Sequence, residues 1–467
     1  MTEQIQRVLR DSKAARWTAI AIISITMFAG YYLTDCLSPL QQMIERQIHW
    51  NSEGYGFYQG GYSLFNVFLL FLIFGGFILD KMGVRFTGIM SGIIMVLGAG
   101  IKYWAVSTHS LDGQTWTIIW TFPAQVWMAT IGFAIFGVGC EVAGITTTRV
   151  IVKWFKGHEM ALAMGLQLAV ARLGTGLALF GAAGIAHFGG HDNVATPVLV
   201  GFLLLVIGLL TYIIYCFQDK RLDKSLAAVN ANDVNFEEEK FQIKDIGLIL
   251  KNKGWWYIAI LCVLFYSAVF PFLKYACNLM INKFGVSEEF SGVIPSLLPF
   301  GNILLTPLFG SIYDKKGKGA TIMIIGSILL IFVHLFFAIP VFNSYWFAIF
   351  LIIVLGIGFS LVPSAMWPSV PKIIPEKQLG TAYALIFWVQ NIGLWGVPLL
   401  IGWILDKYCI ITQGTGDIPT TYNYTLPMIV FMGFGVLGLL FAFLLKREDK
   451  KKGYGLELPN IKKEVAA

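Results

Sequence analysis

"GGFILDKMGVRFTG" occupies residues 75–88, and "FGSIYDKKGKGAT" occupies residues 309–321. Both read G-x-x-x-D-K-x-G: Gly76, Asp80, Lys81 and Gly83 match Gly310, Asp314, Lys315 and Gly317. The two copies lie half a chain apart, each a short polar turn between apolar runs. A turn repeated at that distance predicts a chain built from two similar halves. In each copy a helix-end carboxylate and a cation stand together. Such a set predicts a charge clamp that grips helix ends across the halves in one state and releases them in another; the plainer reading is a turn with solvated charges.

Composition says what the turns connect. Of 467 residues, 57% are hydrophobic and 13% charged, against about 25% charged in an ordinary soluble domain. Mean hydropathy is +0.70. So much apolar surface fits an integral membrane protein. The polar opening and the long first apolar run read as a first transmembrane helix rather than a cleaved signal. The net charge of +7 does not indicate nucleic acid, because the basic residues fall in short clusters between apolar runs. The six cysteines, Cys36, Cys140, Cys216, Cys262, Cys277 and Cys409, are scattered and read as small hydrophobes.

A spanning helix needs about 20 apolar residues. About twelve such runs are present, near 17–45, 55–79, 86–107, 124–150, 159–187, 194–217, 254–281, 290–313, 319–340, 344–370, 378–406 and 425–446. The expected fold class is an all-α membrane protein with twelve transmembrane helices in two six-helix pseudo-symmetric halves. The expected boundaries are 1–217 for the N-terminal bundle, 218–253 for a cytoplasmic linker, 254–446 for the C-terminal bundle and 447–467 for a cytoplasmic tail. Within the linker, "FQIKDIGLILKN" predicts one amphipathic surface helix. Placing both termini in the cytoplasm leaves Arg46, Lys102, Lys283 and Lys407 as the outer-loop cations, with Arg172 and Lys274 inside spans and every other Lys and Arg inside, a strong positive-inside bias.

Ionisable residues inside spans are costly and generally face a cavity. Arg172, in "GLQLAVARLG", lies roughly 20 Å from the inner face, and Glu141, in "FGVGCEVAGI", roughly 14 Å. Arg172 can hold a carboxylate bidentately; Glu141 can accept from an ammonium group or take a proton. Together they suit the two ends of a zwitterion. Alternatively they pair with each other. Asp35 can receive an amine, gate the outer mouth, or stabilise Tyr31 or Tyr32. Lys274 either makes a second carboxylate contact or snorkels to the headgroups. A second echo, "EMALAMGLQLAVARLG" against "QLGTAYALIFWVQNIG", sets Asn391 opposite Arg172. Tyr266, Trp367, Tyr383 and Trp388 are pocket candidates or packing residues, and His334 reads first as a packed hydrogen-bonder.

There is no G-x-S-x-G, no H-E-x-x-H and no Walker A loop. No enzyme, metal or cofactor is expected, and without a nucleotide site any transport draws on gradients. A proton-coupled transporter of small carboxylates or drugs, with Glu141 or Asp35 as proton carrier, is the rival transport reading. A membrane receptor that binds without turnover is a third.

Parallel six-helix repeats are the architecture of major facilitator transporters, and Asp80, Gly83 and Arg85 fill that superfamily's inner-loop pattern, roughly G-x-x-x-D-x-x-G-x-R. More narrowly, the chain resembles the lysosomal dipeptide transporter branch, known as major facilitator superfamily domain-containing protein one. The segments that carry the resemblance include "YYLTDCLSPLQQMIERQI", "VKWFKGHE", "GLQLAVARLG", "SAVFPF" and "MWPSVPKIIPEKQLGTAYA". It implies facilitated diffusion of dipeptides between alternating outward and inward states. It also implies that Glu141, Arg172 and Asp35 hold the peptide's termini. Lys274 follows "VFPF" sooner than the family pattern suggests, which opens the mode of carboxylate recognition. The implied partners are a small zwitterion and the lipid bilayer. The lysosomal member has a glycosylated accessory subunit, and the residues here leave open whether this chain has one. A microbial inner membrane is the expected location, the lysosomal membrane being the animal-type alternative.

Overall fold

The apolar runs become helices, and particular residues set their ends. A computed structural model describes residues 9–155, 158–188, 192–229, 243–375, 378–415 and 418–460. Helix α1 (Lys13–Asp35) is capped by Ser12, whose side chain accepts from the amide of Ala15. It stops at Asp35. Pro39 sits in a 3-10 turn, Ser38–Leu40, before the short α2 (Gln41–Ile48). The run expected as one helix over 17–45 is therefore two helices and a corner, because a proline nitrogen has no proton for a helical bond. Asp35 accordingly ends a helix.

The second run is also broken. Helix α3 (Ser52–Phe68) stops before Leu70, whose φ of 55° is left-handed, and α4 (Phe71–Ser107) starts there. Helix α4 itself contains the first repeated turn, where Gly83 has φ 74°, a conformation that glycine adopts without strain. Among the described residues eleven helices are long and apolar enough to cross a membrane. Helix α3, with 17 residues, falls short alone, and the run over 55–79 continues into the start of α4.

The remaining helices of the first half are α5 (Ala124–Phe155), α6 (Met160–Ala186) and α7 (Ala195–Val229). Helix α7 continues well past the expected end at 217, so the start of the expected linker is helical. The expected surface helix is present as α8 (Ile243–Leu250). The second half comprises α9 (Lys253–Phe284), α10 (Val293–Lys316), α11 (Gly319–Ala338), α12 (Tyr345–Ile373), α13 (Leu379–Tyr408) and α14 (Thr425–Lys452). Two antiparallel strand pairs decorate the loops: β1 (Thr115–Thr117) with β2 (Thr121–Pro123), in register Trp116 to Phe122, and β3 (Ile410–Thr412) with β4 (Thr421–Tyr422).

Packing follows the internal repeat. Helix α1 lies against α6 and α7, and α4 against α5 and α7; α11 packs on α12 and α14, and α10 on α12. The halves meet along two seams, α3 with α13 and α6 with α10. The sequence echoes equate the run formed by α3 and the start of α4 with α10, and α6 with α13, so the two seams are one interface met twice. Backbones come close there: a Cβ on Gly60 would sit 2.3 Å from the carbonyl oxygen of Trp395, the small-residue packing expected in lipid. Large apolar side chains such as Leu97, Leu304 and Phe443 stay exposed on the outer faces of their helices.

The ends of the bundle differ. The near end holds the start of α1 and the end of α14; the far end holds Asp35. Among the described residues two ion pairs join the halves at the far end, Asp35 with Lys274 and Arg46 with Glu288. There the Asp406 carboxylate also accepts from the amides of Ser52 and Glu53, and Glu45 accepts from Thr420.

Candidate substrate site

Between the seams lies a cavity of about 140 Å³ lined by both halves. Helix α1 supplies Tyr31, Thr34 and Asp35; α3 supplies Gln59, Tyr62 and Ser63; α5 gives Cys140 and Glu141; α6 gives Arg172 and Thr175. From the second half come Phe270, Pro271 and Lys274 of α9, and Gln390, Leu394 and Pro398 of α13. The cavity is mostly apolar wall with a few charged groups, the usual build of a small-molecule site.

Arg172 has neither an ion pair nor a hydrogen bond among the described residues; its guanidinium faces three rings. The centroids of Tyr31, Phe270 and Phe359 lie 5.7, 5.4 and 5.6 Å from its central carbon, within cation–π range. Rings hold the cation in place while leaving its N–H donors uncommitted. Glu141 accepts a 2.8 Å hydrogen bond from the Tyr62 hydroxyl and has no cation within ion-pair distance among the described residues. The two opposite charges thus share a cavity without neutralising each other.

Lys274 does not snorkel. It is 9% exposed, lies 2.6 Å from the Asp35 carboxylate and donates to the Thr34 carbonyl at 2.9 Å. The Tyr55 hydroxyl in turn donates to the Lys274 carbonyl. Asp35 and Lys274 therefore close the far side of the cavity, and neither is free for a ligand in this state. Lys102, expected in an outer loop, is 0% exposed inside α4. It donates to the Leu33 carbonyl at 2.8 Å, close to the end of α1, and faces the rings of Tyr58 and Phe133.

The other candidates lie beside the cavity. The Trp367 indole donates to the Tyr266 hydroxyl, and the Tyr383 hydroxyl donates to the Trp367 carbonyl. This cluster packs behind the Arg172 cage through Tyr266 against Phe270 and Phe359. Asn391 bonds within its own helix, donating to the Phe387 carbonyl. The Trp388 indole donates to the Val67 carbonyl across the α3–α13 seam. His334 donates from Nε2 to the Ala268 carbonyl and packs beside Phe431 and Phe272, a structural role. Uncharged lining residues such as Tyr62, Gln59, Thr175 and Gln390 were not singled out from sequence. For Gln59, Tyr62 and Ser63 a signal existed: polar residues three and four apart in an apolar run, one helix face.

At the near end the repeated turns hold their own halves. Arg85 bonds Asp219 at 2.9 Å and also Asp223, both on α7; Lys153 bonds the same pair; Asp80 lies 3.4 Å from Arg149. Asp314 accepts from the Asn460 side chain, and Gly317, at φ 69°, packs against Glu457 and Leu458 of the C-terminal segment. Among the described residues the partners of Asp80, Arg85 and Asp314 lie in their own half, so these pairs make no grip across the halves in this state. Lys81 and Lys315 are exposed. The cysteines are all unpaired, five of them buried.

The model of the Major Facilitator Superfamily matches residues 20–398 and, in a second match, 275–463. The chain belongs to the major facilitator superfamily. It is thus an all-helical, multi-pass membrane transporter of this superfamily, and its relatives are transporters rather than enzymes. Among them, the lysosomal dipeptide transporter MFSD1 of Bos taurus is 28% identical over 459 residues, 97% of this chain and 89% of its own. The human protein of that name is 29% identical over 84% of this chain and 81% of its own length. Among solved structures, a bacterial homologue of the human lysosomal transporter Spinster superposes with a TM-score of 0.71 at 14% identity, covering 94% of this chain and 98% of that one. The nucleoside transporter NupG gives 0.67 at 13% identity, over 92% and 99%. At these identities the superfamily fold is what the structures share with this chain.

Proposed function

We propose that this superfamily transporter is a uniporter of dipeptides or similar small zwitterions. The observation that carries the reading is the separation of Arg172 and Glu141: a fixed cation with open donors and a carboxylate held only by a tyrosine, in one cavity. A zwitterion meets both at once, its carboxylate on the Arg172 fork and its ammonium group on Glu141. Relatives named as dipeptide transporters, similar over most of the chain, support the same substrate class.

In this reading the halves, 1–217 and 254–446, rock about the two seams, joined by 218–253 and followed by the tail 447–467. The run over 55–79 counts as one crossing, which makes twelve. The near end is cytoplasmic, as the positive-inside bias suggests, and the structure is the state closed to the outside. Opening outward separates Lys274 from Asp35, and a substrate ammonium group takes the place of Lys274 there. Asn391, Tyr266 and Trp367 support the site from behind. Asp80, Gly83, Arg85, Asp314, Lys315 and Gly317 keep each half rigid as it turns. A bacterial-type inner membrane or a lysosomal-type membrane both suit this topology.

Thermal stabilisation of the purified protein by a panel of dipeptides, amino acids, tripeptides and monocarboxylates tests the reading, since a ligand of the folded state alone raises apparent stability. Dipeptides stabilise the wild type and leave Arg172→Ala flat. A shift from monocarboxylates alone overturns it. A proton-coupled mode is the second reading, favoured by Glu141 having a hydroxyl and no cation beside it; acidification of liposomes on adding substrate is its signature.

A further inference from the structure

Helix α3 carries a row of polar side chains that the terminal clamps do not use. Gln59, Ser63 and Asn66 are 3%, 1% and 2% exposed. Their spacing of four and three puts them on one face, and Gln59 and Ser63 line the same cavity as Arg172 and Glu141. A buried polar atom without a partner costs free energy unless something satisfies it. Four atoms without a partner among the described residues stand in this row: Oε1 of Gln59, Oγ of Ser63, and both Oδ1 and Nδ2 of Asn66.

The hydrogen bonds fix what Gln59 presents. The Tyr55 hydroxyl donates its only proton to the Lys274 carbonyl at 2.8 Å. Its oxygen can then only accept, and it accepts from Gln59 Nε2 at 2.7 Å. The amide is thereby oriented, leaving Oε1 as a pure acceptor. One turn on, the Ser63 hydroxyl has its own proton and lone pairs uncommitted. An acceptor and a hydroxyl one helical turn apart, in a cavity whose charges suit two termini, match a group with one N–H and one C=O.

We propose that Gln59 and Ser63 recognise the peptide group of the substrate: Gln59 Oε1 takes its N–H and the Ser63 hydroxyl donates to its carbonyl. This rests on the dipeptide reading and deepens it. The α3 row makes the peptide bond itself a requirement, and selectivity then falls on the backbone.

The test compares glycylglycine with 5-aminopentanoate as competitors of labelled dipeptide uptake in proteoliposomes. Both set four atoms between amine nitrogen and carboxyl carbon, and only the first has a peptide group. The wild type prefers glycylglycine by about tenfold or more. Ser63→Ala and Gln59→Leu each weaken glycylglycine roughly three- to tenfold and leave 5-aminopentanoate within about twofold. Glycylsarcosine, which lacks the N–H, is insensitive to Gln59→Leu and sensitive to Ser63→Ala. Retained 5-aminopentanoate affinity shows that each variant is folded; Ser63→Ala, which removes one oxygen, stands alone if Gln59→Leu is lost. Equal competition by the two ligands in the wild type, or equal weakening of both in the variants, overturns the proposal while leaving the zwitterion site intact. Failure of every zwitterion to compete overturns the site reading and this proposal together.

Discussion

Lys274 and Asp35 form a buried ion pair between the halves, 2.6 Å apart, and each has about a tenth of its side chain exposed. The pair ties α9 to the last residue of α1, just before the chain turns at Pro39. A closure built on a helix end can release by moving a few residues. Removing one partner leaves a charge stranded in a low-dielectric site, which typically costs about 3–5 kcal/mol. Lys274→Met alone is thus expected to lower the thermal midpoint sharply and slow uptake. The double variant Lys274→Met with Asp35→Asn is expected to regain most of the stability, because no charge remains unpaired. A calorimetric scan of the wild type, both single variants and the double variant checks this; additive losses in the double variant would show that the residues act separately.

Arg172 is held by rings, so shape matters as much as charge. Lysine keeps the charge and loses both the flat stacking surface and the fork. Arg172→Lys is expected to weaken zwitterion binding by about tenfold or more, and Arg172→Ala by roughly a hundredfold, as for loss of a charge-assisted hydrogen bond of about 1.5–3 kcal/mol. Trimming the cage by Phe270→Leu is expected to fall between wild type and Arg172→Lys. Competition assays rank the four proteins, and an Arg172→Lys variant as good as wild type would remove the cage from the account.

These residues show where sequence suffices. Arg172, Glu141, Asp35 and Lys274 were legible because charge in an apolar run is conspicuous, and all four line the cavity. Partnership was not legible. The sequence could not place Lys274 on Asp35, since their helices are far apart in the chain. Lys102 and Asp219 were misplaced for a related reason. Each lies near the end of an apolar run, so it reads as loop or linker, yet both are 0% exposed: Lys102 is still inside α4, and α7 continues past its apolar stretch to carry Asp219. The break after Asp35 was signalled by Pro39 and masked by the apolar residues around it. The kink at Leu70 has no sequence signal at all; leucine rarely takes a left-handed φ.

Asp219 and Asp223 offer a contrast in burial at one site. Both accept from Arg85 and Lys153, but Asp219 is fully buried and also accepts from the Trp154 indole and the Tyr215 hydroxyl. Asp223 has 40% of its side chain exposed. Asp219→Ala leaves the buried Trp154 and Tyr215 donors without their carboxylate and Arg85 and Lys153 with Asp223 alone, and is expected to destabilise the protein by about 2–4 kcal/mol. Asp223→Ala is expected to cost no more than about 1 kcal/mol, as exposed pairs do. Thermal midpoints in detergent decide it. Equal losses would mean that burial does not set the strength of this network.

The second repeated turn lacks that network and is held by the C-terminal segment. Lys318 and Gly319 donate their amides to the carbonyls of Glu457 and Leu456, and the Lys372 ammonium group donates to the carbonyls of Gly455 and Leu458. Leu456 is fully buried beneath the turn, and the Glu457 carboxylate accepts from Thr321. The two halves thus solve one mechanical problem differently: α7 steadies the first turn and the tail steadies the second. Leu456→Asp buries a carboxylate with no partner, which undocks the segment rather than unfolding the bundle. The expected result is faster proteolysis near residues 453–460 and slower uptake, with zwitterion affinity unchanged because the cavity is remote from the turn. Loss of affinity in parallel with uptake would instead make the tail part of the binding site's support.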